Sequence, residues 1–341
     1  MGEFAIIDAD GHAMDLEEVC YRGYLDEPYR RRSSPLYPME SYDRRMGGTL
    51  GRPGTDVRER LADMDLSKIQ HSVLYPTLGL FIGKIREPEF ATALCRAYND
   101  WVADHCAQAG GRLSAVALLP PNGELATAEL NRAVTKHGLV GGMLPAHGHA
   151  KSFGNSEFYP LYEEAERLNV PLAIHASGGD EPGTEMFDAF ICVHTCGHPL
   201  PIMRQLTAVI FSGICDRFST LRLGFLEAGA GWVPYWMDRM DEEYEKRAVE
   251  APNLKVMPSE HVKGGRIYFS CEPEEETMPF AVENLGEQAI LFASDYPHWD
   301  MTYPDCTAPI LERKELSDSA KRAILGENAR RFYGKSFVGA N

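Results

Sequence analysis

Phe4-Ala5-Ile6-Ile7-Asp8-Ala9-Asp10-Gly11-His12 opens the chain with a short apolar run that ends in a carboxylate and an imidazole two residues apart. Side chains at i and i+2 of a strand share a face, so Asp10 and His12 can converge on one point just past the strand's end. That ending suits a metal ion far better than it suits a core. Three more apolar runs finish in the same way. Pro171-Leu172-Ala173-Ile174 ends in His175, Leu221-Arg222-Leu223-Gly224-Phe225-Leu226 ends in Glu227, and Ile290-Leu291-Phe292-Ala293-Ser294 ends in Asp295-Tyr296-Pro297-His298. This repetition of strand and ligand decides the fold.

Eight apolar runs recur along the chain, at 4–8, 71–75, 114–119, 139–144, 171–175, 221–226, 266–271 and 290–294. Amphipathic stretches separate them, at 57–67, 87–108, 122–137, 156–169, 199–217, 233–247 and 277–286, and a last helix starts at the Ser317-Asp318 cap and runs to Arg331. Strands that are apolar on nearly every residue are buried on both faces, as parallel strands are. Eight of them, each followed by a helix, predict a closed (β/α)8 TIM barrel in one domain spanning residues 1–341. The alternative is an open doubly wound sheet, which is disfavoured because no glycine-rich phosphate loop follows the first strand. A long insertion after that strand, residues 13–56, is rich in Tyr and Arg (Tyr29-Arg30-Arg31-Arg32, Arg44-Arg45) and is expected to cover the barrel mouth. Residues 176–198 form a second excursion.

With 34 Lys and Arg against 50 Asp and Glu, the formal charge is −16, which gives no global attraction for nucleic acid or an anionic membrane. No apolar run approaches the length of a membrane span. The eight cysteines include no C-x-x-C pair. Scattered thiols without a leader-like N-terminus point to a reducing, cytoplasmic setting.

In such barrels the active site forms at the C-terminal ends of the strands, where Asp10, His12, His175 and Asp295 all lie. Carboxylates there mix with imidazoles: Glu227 adds another oxygen, and His198, in His194-Thr195-Cys196-Gly197-His198, adds a nitrogen. This donor set suits iron or manganese at least as well as zinc and is large enough for two ions. Glu227 can alternatively orient a histidine ligand through a hydrogen bond. His147, Glu272 and Trp232 follow other strands and are candidates for substrate contact. His149, like His147, follows the fourth strand and can reach substrate or simply stand in solvent; His298 is read as orienting its loop, and Tyr235 and Trp236 as packing.

These landmarks resemble the amidohydrolase superfamily, and within it the amidohydrolase-related branch that includes aminocarboxymuconate-semialdehyde decarboxylase. The likeness rests on Asp10-x-His12 in place of H-x-H, Ala173-Ile174-His175, Gly229-Ala230-Gly231-Trp232 and Ala293-Ser294-Asp295-Tyr296-Pro297-His298. By that resemblance Asp10, His12, His175 and Asp295 are metal ligands. Glu227 stands where decarboxylating and hydrolytic relatives place a histidine, and no lysine follows the fourth strand to bridge two ions. The carboxylate-rich set is similar to that of dinuclear iron or iron–manganese monooxygenases of this branch. The resemblance therefore implies an O2-dependent hydroxylase with Glu227, His198 and Asp295 as catalytic groups, an electron-donating reductase as partner, and a homo-oligomeric enzyme. The alternatives are a mononuclear zinc or manganese hydrolase or non-oxidative decarboxylase acting on a small acid, and a catalytically inert partner subunit.

Overall fold

The computed structural model describes residues 4–38, 55–177, 182–302 and 304–337. Parallel strands run β1 (Ile6–Ala13), β2 (Ile69–Pro76), β3 (Leu113–Ala115), β4 (Ala117–Leu118), β5 (Gly142–Pro145), β6 (Leu172–His175), β7 (Leu223–Leu226), β8 (Ile267–Cys271) and β9 (Ile290–Phe292). The helices are α1 (Val57–Leu66), α2 (Pro88–Ala107), α3 (Gly123–His137), α4 (Tyr159–Leu168), α5 (Phe190–Gly197), α6 (Pro199–Phe211), α7 (Ile214–Arg217), α8 (Val233–Arg247), α9 (Pro258–Lys263), α10 (Met278–Leu285), α11 (Ala308–Leu311), α12 (Asp318–Arg322) and α13 (Asn328–Tyr333). The predicted 114–119 strand is divided at Val116, so that β3 pairs with β2 and β4 with β5. Val116 N donates to Leu74 O and Ala117 N to Gly141 O, which carries the sheet across the division. β9 closes onto β1 through Asp295 N to Asp10 O at 3.1 Å and His12 N to Tyr296 O at 2.7 Å. The result is a (β/α)8 TIM barrel, with β3 and β4 together taking the third position.

Local sequence explains the element limits. In α3 the Asn122 side chain accepts from Leu125 N, and Gly138, at φ 71°, ends the helix in the left-handed conformation that glycine adopts without steric cost. The predicted 199–217 helix breaks after α6, because Gly213 at φ 70° turns the chain before α7. The 176–198 excursion is not all loop, since Phe190–Gly197 within it forms α5. Every residue of β5 through β9 is buried, as expected for strands covered on both faces. No helix among the described residues is long and apolar enough to cross a membrane.

The strand that opens the chain runs further than predicted. β1 continues to Ala13, so Asp10 and His12 lie on the strand itself, and its register with β2 shifts between Asp8 and Gly11. Beyond it, the first part of the insertion is pinned by the buried Asp15, whose carboxylate accepts from Thr77, Leu78 and Gly79 N and from Tyr21 Oη. The Arg44-Arg45 part of the expected lid lies outside the described residues.

Candidate metal centre

Each end of the barrel mouth delivers a side chain to the axis, and backbone contacts fix how each one points. His12 is fully buried, and its Nδ1 donates to Pro76 O at 2.9 Å. That bond turns Nε2 toward the centre, 3.4 Å from Asp295 Oδ1 and 3.7 Å from Asp10 Oδ1. His175 Nε2 lies 3.2 Å from Asp10 Oδ1, and its Nδ1 donates to Ala176 O at 2.7 Å. Glu227 and Asp295 both take left-handed backbone, at φ 60° and 54°, just after their strands. Such a conformation costs about 1–3 kcal/mol for a non-glycine residue and persists where the surroundings hold it. Here Ser270 Oγ accepts from Glu227 N at 2.7 Å, while Asp295 N is held by Asp10 O.

The ligating atoms form two groups that share His12. One comprises Asp10, His12 and His175; the other comprises His12, Glu227, Asp295 and His298; in each, the atoms lie within 4.8 Å of one another. Two buried atoms here, His12 Nε2 and Glu227 Oε2, have no hydrogen-bond partner, and Asp295 Oδ1 meets only the His298 ring, whose Nδ1 lies 2.7 Å away. Unsatisfied buried polar atoms are rare because each costs about 1–3 kcal/mol. Converging at one point and mixing imidazole with carboxylate, they fit a divalent cation.

The charges follow the same geometry. Burial, with His298 and His175 nearby, holds the His12 imidazole well below its ordinary value, so it is a neutral donor. Burial would lower His175, but Asp10 and Glu227 raise it to about 9. Burial would likewise raise Glu227, yet the facing His175 and His198, with the bond from His298, keep it well below the usual carboxylate range. Burial pushes the Asp295 carboxyl up against the pull of His298, whose Nδ1 is 2.7 Å away.

Of the sequence-predicted residues, Asp10, His12, His175, Glu227 and Asp295 are brought together. His198 reaches the assembly only through Glu227, at 3.7 Å between Nε2 and Oε2. His298, read from sequence as a loop-orienting group, joins the cluster; its spacing of three from Asp295 was the signal. A cleft of about 420 Å³ opens above, lined by His194, His198, Glu227, Glu272, Glu275, Asp295 and Asp300. Glu272 therefore lines the cleft. His147 and Trp232 are not among the lining residues. His147 is buried with Ser177 Oγ 2.9 Å from its Nδ1. Trp232 donates its indole N–H to Gly229 O and sits edge-on to Phe269. His149, for which substrate contact or solvent was expected, packs its ring against Phe153 and Phe158. Asp8 and Glu275 escaped the sequence reading. Asp8 accepts from Ser72 Oγ, from Ser294 N and Oγ, and from Asp10 N, tying β1 to both neighbouring strands. Its spacing of two from Asp10, as Asp10 is from His12, was a legible hint. Glu275 accepts from Ala230 N and Gly231 N and so clamps the turn that follows Glu227.

The sequence profile of the amidohydrolase family (Amidohydro_2) matches residues 7–335. The chain is 25% identical to 2-amino-3-carboxymuconate-6-semialdehyde decarboxylase of Dictyostelium discoideum, over 82% of this chain and 77% of that one. It is also 25% identical to 2-keto-4-carboxy-3-hexenedioate hydratase of a Sphingobium strain, over 96% of both. The crystal structure of 5-carboxyvanillate decarboxylase from Novosphingobium aromaticivorans, complexed with manganese and 4-hydroxy-3-methoxy-5-nitrobenzoic acid, superposes with a TM-score of 0.76 at 20% identity, covering 97% of this chain and 96% of that one.

These findings correct the expectation of O2-dependent hydroxylation. The relatives are decarboxylases and a hydratase, whose reactions neither consume O2 nor need a reductase. Support for iron, O2 and an electron-donating partner falls with it. The physical reason for the error is that carboxylate richness was read as a redox signature. In the structure the same carboxylates converge with the imidazoles around the shared His12.

Proposed function

This chain belongs to the amidohydrolase family, and from that membership we propose that it is a metal-dependent, non-oxidative decarboxylase of a small aromatic or unsaturated carboxylic acid. The observation that carries the proposal is the convergence of buried imidazole and carboxylate atoms of Asp10, His12, His175, Glu227 and Asp295 in two groups that share His12, beneath the polar cleft. Asp10, His12, His175 and Asp295 would hold one divalent ion, with manganese suited to a mixed carboxylate and imidazole set. The manganese in the Novosphingobium decarboxylase supports that choice. Such an ion supplies Lewis acidity, drawing electrons from the substrate's carboxylate and from an adjacent oxygen.

The chain's own residues do the rest. Pro76 O and Ala176 O fix the ring orientations of His12 and His175. Asp295 and Glu227 offset the burial of His298 and raise its imidazole above the ordinary value in the metal-free protein, and the Asp295–His298 contact at 2.7 Å fixes the ring beside the cluster. In the reaction the carbon–carbon bond to the carboxylate breaks, carbon dioxide leaves, and one proton takes its place on carbon. No oxidant or reductant enters. His198 faces the cleft with the Glu227 carboxylate 3.7 Å behind it, and is assigned the delivery of that proton.

The test is anaerobic carbon dioxide release from a panel of hydroxybenzoates and unsaturated dicarboxylates. The protein is first stripped with chelator and then reloaded with Mn2+. Release that needs the ion and is indifferent to O2 is the expected outcome. Turnover that occurs only with O2 and a reductant, or full activity in the stripped protein, refutes the proposal.

A further inference from the structure

Two histidines of the cluster are held from the end of a single strand. β2 stops at Pro76, whose carbonyl oxygen accepts from His12 Nδ1 at 2.9 Å. The next residue, Thr77, sets its Oγ1 2.9 Å from His298 Nε2. The two imidazoles lie against each other, 4.1 Å between centroids and 32° apart in plane.

The second contact stands out because of a bond that Thr77 does not make. It occupies the N-cap position of the 3-10 helix Leu78–Lys84, where a threonine hydroxyl ordinarily accepts from the first free N–H groups of the helix. Here the hydroxyl makes no such bond. The Asp15 carboxylate accepts from Thr77 N at 2.8 Å, Leu78 N at 2.6 Å and Gly79 N at 2.9 Å in its place. Asp15 thus caps the turn and fixes the Thr77 backbone, and the hydroxyl is left for His298. On the other side of that ring, Nδ1 lies 2.7 Å from Asp295 Oδ1 and 3.6 Å from Glu227 Oε1. A nitrogen facing two carboxylates carries a proton, so Nε2 is an acceptor in the neutral ring and a donor in the charged one. A hydroxyl satisfies it in both states, which a carbonyl or an N–H cannot. His298 is clamped between Thr77 and Asp295, and its place sets where Asp295 Oδ1 sits relative to His12 Nε2, 3.4 Å away.

We propose that Thr77 is a positioning residue of the metal centre, acting through His298 on the Asp295 carboxylate. This inference rests on the reading of Asp295 as a ligand of the divalent ion. Without the hydroxyl the His298 ring is free to turn, Nδ1 leaves Asp295 Oδ1, and the carboxylate loses the group that aims it. Hydrogen-bonding groups one step behind a metal ligand change metal affinity or activity by about 10–100-fold. Because Asp15 belongs to the insertion after β1, the same contact ties the first part of that insertion to the site.

Thr77→Val keeps the shape of the side chain and removes the hydroxyl. Mn2+ is titrated into the chelator-stripped, full-length protein, and the free ion is read from the electron paramagnetic resonance signal of hydrated Mn2+. The dissociation constant is expected to rise at least about tenfold in Thr77→Val and to stay within about threefold of the parent in Thr77→Ser, which restores the hydroxyl. The melting midpoint of stripped Thr77→Val should shift by only about 2–4 °C, the worth of one hydrogen bond, because the cap belongs to Asp15. Thr77→Ala carries the same expectation for affinity should the valine side chain not fit. Unchanged Mn2+ affinity in the variants without a hydroxyl, or an equal loss in Thr77→Ser, overturns the inference. So does a fall of about 10 °C or more in the midpoints of both Thr77→Val and Thr77→Ala, since Thr77 would then serve the fold. The decarboxylase reading fails separately. Carbon dioxide release by a protein whose Mn2+ affinity is indifferent to Thr77 sinks the positioning role alone, whereas a hydroxyl-dependent affinity in a protein that decarboxylates no acid leaves that role intact.

Discussion

Replacing Asp8 by Ala should loosen the barrel on both sides of β1, the strand that carries the candidate ligands Asp10 and His12. The carboxylate is 1% exposed and accepts bonds from Ser72 Oγ at 2.7 Å, Ser294 N at 2.9 Å, Ser294 Oγ at 2.8 Å and Asp10 N at 3.2 Å. The serine hydroxyls can rotate to new partners in Asp8→Ala, but the two backbone N–H groups cannot. Each stranded buried donor costs about 1–3 kcal/mol, and the space left by the carboxylate adds to that, so the loss is about 3–5 kcal/mol. At roughly 2–4 °C per kcal/mol, the midpoint of thermal unfolding should fall by about 10 °C. Because those two N–H groups belong to Asp10 and to the neighbour of Asp295, Mn2+ affinity should fall by about tenfold or more as well. Asp8→Asn separates geometry from charge. Its carbonyl oxygen still accepts from Ser294 N and its amide can donate to the serine hydroxyls, so it should recover most of the stability. Burial already raises the Asp8 carboxyl above its usual range, and the loss of its charge therefore matters little. Differential scanning calorimetry with and without Mn2+ reads both effects. An Asp8→Ala protein that melts within 2 °C of the parent, with unchanged Mn2+ affinity, would show that the seam is held by the backbone alone.

Three further outcomes are expected. His175→Ala should lose Mn2+ retention while keeping the far-ultraviolet circular dichroism of the parent, and full metal content after gel filtration would remove His175 from the ligand set. In metal-free protein the folded-state value of His175, about 9, lies above the ordinary 6.5, so its stabilising contribution is complete below about pH 6.5 and is lost as pH rises to about 9. That loss is worth about 3 kcal/mol, and unfolding of the metal-free protein should show stability falling across this window; a flat profile would contradict the ionic pairing with Asp10 and Glu227. With Mn2+ bound the dependence should reverse, since the ligands bind the ion deprotonated. Finally, Gly231→Ala should destabilise by about 1–3 kcal/mol and impair turnover, because an added Cβ would overlap Thr277 Oγ1 and Cβ in the turn clamped by Glu275, whereas Gly23→Ala, with open space around it, should be silent in the same melting assay.

Sequence alone determined the barrel, the strand that carries each candidate ligand and the acidic character of the mouth. Those features rest on local pattern, because parallel strands buried on both faces are apolar throughout and the residue ending each one is exposed to the mouth by the topology. The same logic located Asp10, His12, His175, Glu227 and Asp295, since their strands fix which way they face. What lies between strand ends was not legible. His198 and His194 reach the cleft through the path of α5, and His147, at an equivalent strand end, is instead packed beside Ser177. Asp8 and Glu275 matter through backbone donors that lie up to 286 and 45 residues away in sequence, and no local pattern records such partners. Tertiary structure also decided how the carboxylates are distributed. It draws Glu227 and Asp295 inward to meet the imidazoles through left-handed backbone at both residues, and it sets Glu272 in the lining of the cleft. A count of carboxylates in sequence cannot separate those fates, because the distance between charges, rather than their number, sets whether they bind one ion or repel it.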